Sequence, residues 1–192
     1  MSNTMNILIC GVGGQGTVLL SRILCELAVR RQFRVRAGET IGMAQRGGSV
    51  TSHVRFGTES PSSPLISTGQ ADVLLAFEPA EALRMLPLLS PSGTMVVADR
   101  PLQPVTATLK GGYDPANVLQ TLSDGVGPRL HILPVDTLQT ALGTLRPLNV
   151  ALLGYALRQG LLPFSYEETE HILHLLLKPT LAELNLKALA VF

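Results

Sequence analysis

Apolar positions along this chain alternate between short runs and helical stripes. Ile7, Leu8, Ile9 and Cys10 form an unbroken apolar run that glycines terminate, which predicts a strand buried on both faces of a largely parallel sheet. Leu20, Ile23, Leu24, Leu27 and Ala28 then recur at helical spacing, with Arg22, Glu26 and Arg30 on the opposite face, which predicts an amphipathic helix. Phe33 to Ala37 reads as a second strand with Arg34 and Arg36 on one side. The glycine-rich stretch from Gly38 to Gly48 has no periodicity and lacks the Ser/Pro bias of a tether, so it reads as an ordered loop. Val50, Val54 and Phe56 alternate with Thr51, His53 and Arg55. That pattern predicts an antiparallel or edge strand whose polar face turns to solvent, a ligand or another subunit.

Thr58 to Gly69 carries serines and prolines and reads as a surface loop, followed by a buried strand from Val73 to Phe77. Pro79 can open a helix carrying Leu83 and Leu86, and a strand from Thr94 to Ala98 follows a Pro91-Ser92-Gly93 turn. Weaker strands at Val105 to Leu109 and Leu130 to Leu133 flank a short helix at Ala116 to Leu122. The remainder is helical: Thr137 to Leu142 behind an Asp136 cap, Leu148 to Gln159, Glu167 to Lys178, and a last turn or two around Leu181 to Leu189. Ser165 with Glu168 three residues on makes a capping box. Strands alternating with helices predict an α/β chain: one three-layer Rossmann-like domain over residues 1–192, with a mixed sheet and a helical C-terminal segment.

Composition adds a constraint. Only 15% of residues are charged, against about 25% in an ordinary soluble domain, and mean hydropathy is +0.31. Either the core is unusually large or a partner covers part of the surface; a 192-residue chain still has much surface, which favours the partner. A net charge of +1 supplies no broad basic field, which argues against nucleic acid. Cys10 and Cys25 are the only cysteines, too few for an iron–sulfur cluster or structural zinc site and badly placed for a disulfide framework. With no signal-peptide pattern and no run that could span a bilayer, the expected compartment is the cytoplasm, without membrane attachment.

Between the first strand and first helix lies Gly11-Val12-Gly13-Gly14-Gln15-Gly16. Gly11, Gly13 and Gly16 satisfy the G-x-G-x-x-G pattern in the context that lets backbone N–H groups at a helix N-terminus hold phosphate. The competing reading is a tight turn whose glycines serve close packing. Glu39 lies near, though slightly beyond, the spacing at which an acidic residue meets a dinucleotide ribose, so a self-sufficient NAD-dependent dehydrogenase is an alternative. A second constellation is Gln45-Arg46-Gly47-Gly48 followed by Ser49, Thr51, His53 and Arg55, which could converge on a phosphate or carboxylate or form a solvated strand face. His131, His171 and His174 have no acidic or cysteine partner at metal spacing, so no metal site is expected. No G-x-S-x-G, Walker sequence or paired-carboxylate arrangement supports a hydrolase or NTPase.

Gly11 to Gly16, Gly42-Met-Ala-Gln-Arg-Gly-Gly48, Ser52-His-Val-Arg55 and Ser63-Pro-Leu-Ile66, in this order, resemble the gamma-type subunit or domain of thiamine-diphosphate-dependent 2-oxoacid:ferredoxin oxidoreductases. Within that family the sequence is most similar to the small, beta-type subunits of indolepyruvate:ferredoxin oxidoreductases. The likeness extends through Ala71-Asp72, Glu78, Glu81-Ala82-Leu83-Arg84, Asn149 and Asn185. It implies an accessory subunit, inactive alone, in a heteromer that decarboxylates a 2-oxo acid, passes electrons to ferredoxin and delivers the acyl group to coenzyme A. Thiamine diphosphate, Mg and the iron–sulfur clusters would belong to a large partner subunit. Carried over by position, Gly11, Gly13, Gly14, Gln15, Gly16 and Thr17 would form the coenzyme A phosphate loop. Glu39, Gln45, Arg46, Ser49, His53 and Arg55 would line the subunit junction or the ligand's path. No residue of the chain is assigned a catalytic role; a purely structural subunit with an empty glycine loop is the other alternative.

Overall fold

The structure, a computed structural model, describes residues 4–41, 48–102 and 114–192. Among these residues the sheet has six strands, β1 (Thr4–Val12), β2 (Arg34–Ile41), β3 (Ser49–Gly57), β4 (Ala71–Ala76), β5 (Leu89–Ala98) and β6 (Leu130–Leu133), in the order β2-β3-β1-β4-β5-β6. β1, β4, β5 and β6 run parallel, whereas β3 is antiparallel to both β1 and β2, so the sheet is mixed as the alternation in β3 predicts. β3 lies inside the sheet and β2 occupies the edge. The helices among the described residues are α1 (Thr17–Arg30), α2 (Pro79–Met85), α3 (Pro115–Val126), α4 (Val135–Leu142), α5 (Leu148–Arg158), α6 (Tyr166–Leu176) and α7 (Pro179–Leu189).

Strand periodicity sorts the core into two layers. Ile7, Ile9, Val54, Phe56, Val73, Leu75 and Val96 pack with α1, α5, α6 and α7 on one face. Leu8, Cys10, Leu74, Met95 and Val97 meet Ala82 of α2 and Leu122 and Val126 of α3 on the other. The connections after β1 and β4 therefore leave on opposite faces. Their C-terminal ends part to form the crevice where open α/β sheets take ligands.

Several boundaries differ from the sequence reading. β2 continues through Ile41, because Gly38 to Ile41 keep pairing with β3 as far as Val50. Residues 91–93 fall within β5 as an irregularity: Ala71 pairs with Leu89, and the ladder resumes at Val73 with Thr94. α4 starts at Val135 with Pro134 in the N-cap position and no side-chain cap, which leaves the expected cap Asp136 in the first turn, where it favours the helix dipole. The expected strand from Val105 to Leu109 lies outside the described residues. The capping box is present in both directions, Glu168 N–H donating to Ser165 Oγ (3.1 Å) and Ser165 N–H to Glu168 Oε2 (2.7 Å).

α5 is buried on nearly every side: from Leu148 to Leu157 only Tyr155 is not fully enclosed. A helix with no solvated face needs no charged stripe, which accounts for much of the low charge. The large exposed apolar side chains, Val18, Val29, Leu65, Ile132, Leu175 and Leu181, are spread over several elements.

Arg31 Nε and Nη2 each donate to Glu168 at 2.8 Å, and the guanidinium lies over the Phe164 ring. This partner, with the Ser165 N–H bond, holds the Glu168 carboxyl down at about 2. Since an unfolded glutamate titrates near about 4.3, the pair's stabilisation is present above that value and is lost as pH falls towards about 2. Both side chains are more than a third exposed, so solvent screening limits the effect to about 1 kcal/mol at most. In thermal melts, Glu168→Gln should lie below wild type at pH 7 and converge with it by pH 2–3; a gap unchanged at low pH would show that the charge contributes nothing.

Candidate functional site

β1 ends at the crevice mouth, and the chain turns through Gly13 to Gly16 into α1. Two bonds between Val12 and Gln15 close this turn: Gln15 N–H donates to the Val12 carbonyl (3.2 Å), and Val12 N–H to Gln15 Oε1 (2.6 Å). Gln15 Nε2 also donates to the Phe77 carbonyl at 3.4 Å, which ties the loop to the chain leaving β4. Gly11 lies inside β1 and is buried, and its missing side chain makes room for Gln15: a Cβ there would come 2.5 Å from Oε1. Gly11 thus supports the turn from behind.

Gly14 and Gly16 have φ of +98° and +87°, in the region that favours glycine. Gly16 is the residue preceding α1, and a Cβ on it would meet the buried Asn149 amide at 2.8 Å. Gly14 is exposed and faces open space. The loop's donors are not all available. Gly13 N–H already donates to the Gly48 carbonyl (2.9 Å), and Gln15 N–H is used within the turn. The first amides of a helix lack intrahelical acceptors, so Gly16, Thr17 and Val18 N–H, next to that of Gly14, are the donors placed at this end.

The loop separates two clefts. One, of about 500 Å³, is lined by Gly13, Gly14 and Gln15 on one side and by Arg100, Leu102, Thr144, Leu145, Arg146 and Leu148 on the others. Arg100 follows β5, and its segment is pinned by Asp99 N–H donating to the Leu133 carbonyl (3.0 Å) and Leu102 N–H to Glu78 Oε1 (3.4 Å). Glu78 is almost fully buried, and its other oxygen caps α2 through Glu81 N–H; burial raises its carboxyl above the ordinary range. Arg146 stands just before α5, its own N–H held by Thr144 Oγ1 at 3.3 Å. Among the described residues no carboxylate lines this cleft. The second cleft, of about 570 Å³, is bounded by Gly13, Gly14, Gly16, Thr17, Val18, Leu19, Arg22 and Val50 and is mostly apolar.

The polar side of β3 is covered by the chain's own loop and α2. His53 is buried, and its Nδ1 accepts from Ile66 N–H at 3.1 Å; burial and the Arg55 charge push its pKa down, so the neutral ring is the stable form. Arg55 donates to Asn6 Oδ1 (2.8 Å) and to the Ser63 and Leu65 carbonyls, while Asn6 is held by Asp72. Ser49 donates to Glu81 Oε2 at 2.5 Å, and Thr51 faces Met85. These residues therefore do not converge on open space, because residues 58–70 fold back over them. Gln45 and Arg46 lie outside the described residues. Glu39 is exposed on edge strand β2, where β3 separates it from β1. That puts it two strand spacings, about 10 Å, to the side of β1, away from the place a ribose-binding acid takes in a dinucleotide fold.

Arg100 and Arg146 were not candidates in the sequence. Each stands alone in a non-periodic connection, and 46 positions separate them. The one available signal was position: an arginine just after a predicted strand, and another just before a predicted helix.

The profile of the pyruvate ferredoxin/flavodoxin oxidoreductase family matches residues 6–191. The indolepyruvate oxidoreductase subunit IorB of Archaeoglobus fulgidus is 37% identical over 189 residues, covering 96% of this chain and 92% of that protein. IorB of Thermococcus kodakarensis is 32% identical and covers 95% and 91%. Among solved structures, the pyruvate oxidoreductase subunit PORC of Thermotoga maritima superposes with a TM-score of 0.69 at 19% identity, over 98% of this chain and 94% of that one. The 2-oxoglutarate:ferredoxin oxidoreductase of Magnetococcus marinus, solved with 2-oxoglutarate, coenzyme A and succinyl-CoA, gives 0.71 at 19% identity, over 98% of this chain and 30% of that one. These two share the fold.

Proposed function

Since the chain belongs to the pyruvate ferredoxin/flavodoxin oxidoreductase family, as an IorB-like subunit of a 2-oxoacid:ferredoxin oxidoreductase, we propose that it is the coenzyme A-handling accessory subunit of a heteromeric, thiamine-diphosphate-dependent enzyme for indolepyruvate or a related aryl 2-oxo acid. The observation that carries this reading is the glycine turn, placed where the ends of β1 and β4 part and beside a cleft that, among the described residues, has two arginines and no carboxylate. Amides at a helix N-terminus together with guanidinium groups suit the phosphates of a nucleotide ester. The coenzyme A in the Magnetococcus marinus structure supports the same choice of ligand.

In this reading the full length, residues 1–192, is one gamma-type domain. Gly14, Gly16 and Thr17 present amides to the phosphates, Gln15 fixes the turn, and Gly11 and Gly13 hold its shape. Ser49, His53 and Arg55 act by fastening residues 58–70 and α2 to the sheet beside the junction with the large partner, while Glu39, Gln45 and Arg46 lie along that junction. Two cysteines are fewer than an iron–sulfur cluster takes, so the clusters are placed on the partner, together with thiamine diphosphate and Mg. The thiamine ylid supplies the decarboxylation chemistry when bound there. This chain binds and orients the acyl acceptor, and ferredoxin meets the complex rather than the lone subunit.

Co-expression with the large partner should yield a complex that reduces ferredoxin with indolepyruvate and coenzyme A. The purified 192-residue chain should show no turnover and no visible cluster absorbance. Turnover by the lone chain, or failure of the two to co-purify, would overturn the accessory role.

A further inference from the structure

Arg100 and Arg146 approach the same cleft from different parts of the chain, the end of β5 and the start of α5, and face the glycine turn across about 500 Å³. Among the described residues neither guanidinium has a carboxylate or hydrogen-bond partner. Elsewhere some arginines are matched, Arg31 with Glu168, Arg84 with Glu81, and Arg55 with Asn6 and two carbonyls, whereas Arg22, Arg30, Arg34, Arg36 and Arg158, also without a partner among the described residues, are exposed and line no part of this cleft. Two unmatched like charges lining one cleft are mutually unfavourable until an anion joins them. Their main chains are nevertheless fixed, by Glu78 and Leu133 for Arg100 and by Thr144 for Arg146.

A phosphate at the turn is served by the free amides and the partial positive charge of α1, roughly half an elementary charge. The arginine pair is then in excess. We infer that Arg100 and Arg146 form a second anionic subsite, for a phosphomonoester, so that the cleft selects a nucleotide ester carrying a further phosphate besides its diphosphate. Resting on the coenzyme A reading above, this makes the pair the determinant that distinguishes coenzyme A, with its ribose 3′-phosphate, from 3′-dephospho-coenzyme A. A phosphomonoester bears close to two negative charges at neutral pH, which balances two guanidinium groups. Arginine's planar fork also matches phosphate oxygens better than a lysine would.

Calorimetric titration of the full chain with both esters tests it. Wild type should bind coenzyme A at least about tenfold more tightly than the dephospho form, the scale expected for a lost charge-assisted contact. Arg100→Gln and Arg146→Gln should each weaken coenzyme A by about tenfold while changing the dephospho form by less than about twofold, and Arg100→Lys should retain part of the discrimination. Because Arg146 is exposed, its variant keeps the test open even if Arg100→Gln folds poorly. Equal binding of the two esters, or equal losses for both in the variants, would overturn the subsite and leave the coenzyme A role standing. No binding of either ester would overturn both.

Discussion

Replacing Gly154 by valine should lower the melting temperature by about 10 °C. A Cβ at this position would lie 2.2 Å from the Leu189 carbonyl oxygen, with the Leu189 backbone carbon also within 3 Å. The obstacle is main chain of α7, which cannot turn aside as a side-chain tip can. Either α7 moves off α5 as a body, or the variant stays strained. Overpacking of this kind costs about 3 kcal/mol or more, and at this chain length each kcal/mol shifts the transition by about 2–4 °C. Tyr166 Oη donates to the Gly154 carbonyl at 2.7 Å, so displacement of α5 would also disturb α6. A thermal melt followed by circular dichroism measures the effect. A valine variant as stable as wild type would show that the α5–α7 crossing is looser than described.

Replacing Gly14 by valine should raise the KM for coenzyme A in the assembled enzyme by about tenfold to hundredfold, through the loss of one or more charge-assisted contacts. Nothing lies within 4 Å of the position its Cβ would take, so the new side chain meets no protein atom and instead occupies the rim shared by the two clefts. Its φ of +98° adds a backbone cost of about 1–3 kcal/mol, visible as a modest drop in melting temperature. KM and melting temperature therefore have to be read together. A folded variant with unchanged KM would mean that the turn serves packing alone, which is the structural-subunit alternative.

The strand, turn and helix from Thr4 to Arg30 were legible because their pattern is local: an apolar run, glycines, and a stripe at helical spacing. The capping box at Ser165 was legible for the same reason. The polar side of β3 was readable as polar but not as enclosed. Whether Thr51, His53 and Arg55 meet solvent depends on residues 58–70 returning over them, fastened through Ile66, Ser63 and Leu65, and composition cannot announce that return. The arginines of the cleft were invisible for a related reason: neither marks a turn, cap or stripe, and only the pairing of β5 with β4, itself the neighbour of β1, brings Arg100 near the turn. Glu39 shows the converse. Its spacing suggested a ribose ligand, but an antiparallel strand inserted beside β1 carries it away.

One strand has a solubility consequence. β2 ends the sheet, and among the described residues no strand pairs with its outer side, so the backbone donors and acceptors of every second residue along its eight-residue length face outwards. Such a row is a template for indiscriminate self-association. Arg34, Arg36 and Glu39 are all exposed along it, and burying them between stacked copies would be costly. In a chain so poor in charge, these three ions act as gatekeepers against fibre-like growth.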